Sequence, residues 1–108
     1  MYVWLDDIRE IPESARRGGD GCVWVKSVNK ARCAVEEAEA KGIGEFLLDL
    51  DHDLGDYAAD GGDAVKLVLW LIETKRNNSN YKVILHTANP VGRENMRALI
   101  DRYWDTEI

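Results

Sequence analysis

The sequence predicts an α/β fold in which a short parallel sheet of four strands is flanked by about three helices. Three observations predict it. Short β-branched and aromatic runs alternate with amphipathic helical stretches, the pattern of strand–helix crossovers rather than of hairpins. Helix start and stop signals fall where such crossovers need them. Acidic and imidazole side chains follow the apolar runs directly, at the carboxyl ends of strands, where open parallel sheets gather their ligands.

Tyr2–Leu5 (YVWL) is a compact apolar run that stops at Asp6 and Asp7, and it predicts a first buried strand. Residues 8–21 hold Pro12, Gly18, Gly19 and Gly21 among scattered charges, which predicts a loop with one helical turn over residues 13–17 and no full helix. Cys22–Val25 (CVWV) is the second strand. Ser27 then caps a helix with Val28, Ala31, Ala34, Val35 and Ala38 on one side, ended by Gly42. Residues 45–50 are the third strand. The glycine-rich stretch 55–62 predicts a flexible loop able to close over a ligand. A helix over residues 63–76 is apolar on most faces, so it packs on more than one side, and the polar run 77–80 ends it. Tyr81–Leu85 is the fourth strand, stopping at His86 and Thr87. Asn89 as N-cap and Pro90 at the first helical position open a last helix whose inner face is Met96, Leu99, Ile100 and Tyr103. Trp4 and Trp24 are expected in the core.

A chain of 108 residues falls within the range of one domain, here residues 1–108, with no repeat or low-complexity segment. At 45% hydrophobic residues it is too apolar for disorder, and at a net charge of −6 too acidic for ordinary binding to a phosphate backbone. Duplex nucleic acid is therefore not an expected partner. Cys22 and Cys33 lack CxxC spacing and the start lacks the pattern of a signal peptide, so two free thiols in a reducing cytoplasm are expected. The apolar run 64–72 is interrupted by Lys66 and far too short to span a bilayer, so no membrane partner is expected.

The richest segment is FLLDLDHDLG, residues 46–55, which runs from a strand into Asp49, Asp51, His52 and Asp53 with no Lys or Arg among them. Carboxylates this close repel, and a divalent cation is the usual compensator. Strand alternation places one of Asp49 and Asp51 at the sheet's end and the other inside it. Three strand ends carry Asp6-Asp7, Asp51-His52-Asp53 and His86-Thr87-Asn89, so both histidines and most acidic pairs are expected in one cleft. Blander roles compete: turn carboxylates for Asp6 and Asp7, a solvated loop residue for His52, a hydrogen-bonded core histidine for His86, and turn and cap roles for Asn89, Thr87, Asp60 and Asp63. A calcium loop does not fit, because Gly55 comes one residue late and Glu is missing at the twelfth position. Haloacid-dehalogenase-type and HD-type phosphatases stay as minor alternatives, the first needing further motifs and the second a helical His-Asp pair.

Four blocks carry a family resemblance: LDDIREIP at residues 5–12, LDHDLG at 50–55, GGD at 61–63 and HTANPVGRENM at 86–96. In this order and spacing they resemble the small receiver-like family named for predicted cyclic-phosphate processing, and the likeness covers nearly the whole chain. The resemblance implies a receiver-like Rossmannoid fold with an acidic, histidine-containing pocket. It implies that Asp6 and Asp7 match the acidic pair that holds Mg²⁺ in receivers, that Asp51 falls at the phosphoacceptor position and that Thr87 supplies the hydroxyl after the fourth strand. His52, Asp53, His86, Asn89, Arg9 and Arg93 match what separates this family from response regulators. The chain departs from ordinary receivers in having no fifth strand with its lysine and no helix between the first two strands, which argues against a phospho-aspartate switch.

The leading functional expectation is a metal-assisted phosphoesterase that opens a cyclic phosphate on a cyclic nucleotide or an RNA 2′,3′-cyclic end. Asp6, Asp7 and Asp51 hold Mg²⁺ or Mn²⁺, His52 and His86 act as base and acid beside Asp51, and Arg9, Asp53, Thr87, Asn89 and Arg93 bind the ligand. Two alternatives stand beside it. One is a binding module that captures a small phosphorylated ligand or RNA end without turnover. The other is a degenerate receiver acting through protein contacts.

Overall fold

The computed structural model describes residues 1–13 and 21–104. Four strands, β1 (Tyr2–Leu5), β2 (Cys22–Val25), β3 (Phe46–Leu50) and β4 (Tyr81–Leu85), form one sheet in the order β2-β1-β3-β4, every neighbouring pair parallel. Among the described residues three helices, α1 (Val28–Ala40), α2 (Ala64–Glu73) and α3 (Pro90–Tyr103), accompany the sheet in a receiver-like α/β fold. Local signals act where the sequence places them. Ser27 Oγ accepts from the Lys30 amide at 3.2 Å, Asn89 Oδ1 accepts from the Gly92 amide at 3.1 Å, and Gly42, at φ +91°, follows the end of α1.

The sheet has two unlike surfaces because strand side chains alternate. Val3, Leu5, Leu48 and Leu50 are fully buried, in one core with Val28 and Val35 of α1, Leu67, Val68 and Leu71 of α2 and Met96 of α3. Tyr2, Trp4 and Asp49 lie in register on the other surface. The chain after β1 folds back over that surface: the Trp4 indole donates to the Arg9 carbonyl at 2.8 Å, and Ile11 is buried. As expected, α2 packs on more than one side, against both α1 and α3.

Several expectations are corrected. Residues 55–62 are not an irregular loop throughout. They begin with a 3₁₀ helix (Gly55–Ala59) and are held from outside, Leu54 N–H donating to Asp63 Oδ1 at 3.1 Å while the Asp60 carboxylate accepts from Ser27 Oγ at 2.7 Å and Asn29 Nδ2 at 3.0 Å. Gly61 is required there, since its φ is +108° and a Cβ would stand 2.8 Å from Asn29 Oδ1. α2 stops at Glu73 rather than at residue 76, because Thr74 caps it and Lys75 turns to φ +60°. Arg76 instead reaches Glu39 of α1 with two hydrogen bonds of 2.8 and 2.9 Å. β3 begins at Phe46, one residue later than expected. Tyr103 is exposed, and Trp24 is only half-buried. Of the expected helical turn at 13–17, Glu13 is helical and the remainder lies outside the described residues. Cys22 and Cys33 are free thiols. Among the described residues no helix is long and apolar enough to cross a membrane.

Candidate functional site

In the order β2-β1-β3-β4 the chain leaves β1 toward one side and returns on the other, so a crevice opens beyond the carboxyl ends of β1 and β3. The ladder runs one residue past each strand: Asp6 N–H donates to Val25 O at 3.1 Å, Asp51 N–H to Leu5 O at 2.9 Å and His86 N–H to Leu50 O at 2.9 Å. The side chains of Asp6, Asp51 and His86 thereby continue the alternation that carries Trp4 and Asp49.

One carboxylate oxygen each from Asp6, Asp7 and Asp51 lies within 4.8 Å of the other two. Asp6 is buried and also serves as a turn carboxylate, its Oδ1 accepting from the amides of Ile8 at 2.9 Å and Arg9 at 2.8 Å. Asp7 faces Gly55, whose φ is +56° and where a Cβ would stand 2.8 Å from the Asp7 Oδ2, so a side chain there would push that carboxylate aside. Burial, then the charge of Asp6, pushes the Asp51 carboxyl above its ordinary range, against hydrogen bonds from Thr87 and its neighbouring amide. The trio fits a divalent cation. Its donors are hard oxygens, all three lie within 4.8 Å of one another so that one cation is within reach of each, and the charge crowding that raises the Asp51 pKa is what a cation relieves.

The surrounding pocket, about 350 Å³, is lined by these acids together with Ile8, Arg9, Asp53, Gly55, Thr87, Ala88 and Asn89. Thr87 is buried, its Oγ1 accepting from the Asn89 amide at 3.1 Å. Asn89 Nδ2 donates to Asp53 Oδ2 at 3.1 Å, and the Asp53 carboxyl is held below its usual range by His52 first and Asn89 second.

The two histidines do not meet in this pocket, and neither lines it. His52 lies against the start of α3: its Nδ1 is 2.9 Å from Asp53 Oδ1, and a Cβ on Gly92 would fall 2.4 Å from its ring. His86 lies on the other surface of the sheet, stacked on Trp4 with ring centres 3.8 Å apart and planes 2° from parallel. Its Nδ1 is 2.6 Å from Asp49 Oδ1 and its Nε2 3.0 Å from Asp6 Oδ2, while Tyr2 donates its hydroxyl to the second oxygen of Asp49. Burial lowers the His86 pKa, but the two carboxylates outweigh it and the net shift is upward. Arg93 is exposed on the first turn of α3 and pairs with no described residue.

The chain Tyr2–Asp49–His86–Asp6 is the part of the site that sequence reasoning missed. A signal existed in the strand period. Asp49 precedes Asp51 by two residues and shares its side of the sheet, whereas His52 shares the parity of Leu48 and Leu50 and so belongs to the helix layer.

A parallel four-stranded sheet with an acidic trio at its switch point and a hydroxyl after its last strand defines a receiver-like domain. Within that class the chain matches the family model described as the cyclic-phosphate processing Receiver domain over residues 1–102, and it belongs to that family. Comparison with curated proteins and with solved structures gives no match.

Proposed function

We propose that this domain is a metal-assisted phosphoesterase acting on a cyclic phosphate, such as a cyclic nucleotide or an RNA 2′,3′-cyclic end. The observation that carries this reading is the meeting of Asp6, Asp7 and Asp51 inside a pocket that Arg9, Thr87 and Asn89 also line. Mg²⁺ or Mn²⁺ on the trio would supply a water of lowered pKa and Lewis-acid polarisation of the phosphoryl oxygens. Every other role falls to the chain. The Arg9 guanidinium, Thr87 hydroxyl and Asn89 amide present the donor types that grip phosphoryl oxygens. Asp53, ionised and bonded to Asn89, orients that amide. His86 acts through Asp6, fixing the carboxylate from behind, and is a positioning residue rather than the acid or base expected from sequence. His52 reaches the pocket only through Asp53.

One observation favours a second reading, capture of a phosphorylated ligand without turnover. Neither imidazole lines the pocket, so among the described residues its acid–base groups are carboxylates.

Incubation with Mn²⁺ and a panel of cyclic mononucleotides and RNA ends bearing a cyclic phosphate separates the two. Ring opening by the wild type is expected. His86→Gln should slow it about 10–100-fold, as outer partners of a metal site do, and Asp51→Asn by more. Ligand bound and recovered unchanged supports capture, and stable modification of Asp51 by acetyl phosphate supports a receiver switch. No turnover and no binding overturns the proposal.

A further inference from the structure

A second concavity, about 360 Å³, lies next along the same sheet edge, where Trp24, Lys26 and Ser27 end β2 and Lys30, Tyr57 and Asp60 close the sides. It adjoins the acidic pocket through two links. The Trp24 indole donates to the Asp6 carbonyl at 2.7 Å, and the short 3₁₀ helix lines the acidic pocket with Gly55 and this one with Tyr57. Trp24 and Tyr57 share one cation, the Lys26 ammonium standing 4.9 Å from the first ring centre and 5.7 Å from the second. Asp60 is the one acid in the lining, and both its oxygens are engaged by Ser27 and Asn29. Neither lysine lies within 4.0 Å of a described carboxylate oxygen, and although the Lys30 charge, after those hydrogen bonds from Ser27 and Asn29, helps to hold the Asp60 carboxyl below its usual range, two lysines against one acid leave this pocket net positive in a chain of net charge −6.

We propose that this pocket receives a flat heteroaromatic ring of the ligand whose phosphate occupies the acidic pocket, so that the ligand class is a nucleoside phosphate. The proposal rests on the phosphate reading above and adds a subsite to it. Aromatic faces beside lysines are the chemistry that stacks bases and answers the negative charge attached to them. The volume lies at the low end of small-molecule sites, which suits one ring system rather than a dinucleotide. The ring stacks on Trp24 and Tyr57, and the displaced Lys26 ammonium turns to a phosphate oxygen.

The test is calorimetric titration of the full chain, in Mn²⁺, with inorganic phosphate, ribose 5-phosphate, adenosine 5′-monophosphate and adenosine 2′,3′-cyclic phosphate. The base-bearing ligands are expected to bind about tenfold or more tightly than ribose 5-phosphate. Tyr57→Ala, on an exposed ring outside the acidic pocket, should remove that advantage and leave inorganic phosphate binding unchanged. Lys26→Ala should weaken the nucleotides, and nucleotide affinity left unchanged by it overturns the part given to the ammonium. Equal affinity with and without the base overturns the subsite alone and leaves the phosphate reading standing. A Tyr57→Ala variant that weakens all four alike also overturns it, and failure of every probe to bind overturns both readings.

Discussion

His86 is held on three sides, by the Trp4 ring beneath it and by a carboxylate at each nitrogen. Its raised pKa has a definite consequence for stability. The folded state keeps a proton that the unfolded state releases near pH 6.5, so the stabilisation is fully present below about pH 6.5 and is lost as pH rises through the folded value. In EDTA, the urea midpoint is expected to fall with pH across that window, and His86→Gln should flatten the fall. A midpoint that rises there would show that the imidazolium is not clamped. At this scale the sequence revealed which residues stand at strand ends, because apolar runs stop visibly at Asp6 and His86 and strand alternation sets Asp51 beyond Leu50. It did not reveal partners. The bond from His86 to Asp49 joins residues 37 apart, and nothing local to either announces it.

The start of α3 shows how one position can reverse an ordinary rule. Replacing a helical glycine by alanine usually stabilises by up to about 1 kcal/mol. At Gly92 the added methyl would fall 2.4 to 2.7 Å from three atoms of the His52 ring. Gly92→Ala is therefore expected to destabilise the fold by about 1–3 kcal/mol, as overpacking does, and to shift the His52 imidazole resonances. Unchanged resonances with a raised melting temperature would refute the contact. Elements with local signals were legible: Ser27 and Asn89 cap as their types predict, and Pro90 sits at the helix start. Residues 55–62 were misread because glycine content reports what the backbone permits, while the order there comes from Asp60 and Asp63, whose partners are distant in sequence or set by the fold. The end of α2 was misplaced because Arg76 continues the helical pattern but is drawn out to Glu39.

Across the whole molecule, Asp6, Asp7 and Asp51 meet at the carboxyl ends of the strands and a separate clamp closes the other end. There Glu39 accepts two bonds from Arg76 and one from the Tyr81 hydroxyl at the start of β4, and the Arg76 guanidinium lies 4.4 Å from the centre of the Trp70 ring. The bidentate pairing with Arg76, opposed by burial, holds the Glu39 carboxyl below its usual range. Arg76→Ala is expected to lower stability by about 1–3 kcal/mol, to couple with Glu39→Gln in a double-mutant cycle and to leave Mn²⁺ affinity unchanged. A change in metal affinity would show that the two ends communicate. The fold class was legible from the alternation of strands and helices, whereas the adjacency of β1 and β3, on which the acidic trio depends, comes from the strand order. That sheet also works as a partition. Odd positions of β1, Val3 and Leu5, answer to the oily interior, while even ones, Tyr2 and Trp4, answer to the imidazole beyond, so two vocabularies interleave along one sentence of backbone and each is free to drift without rewriting the other.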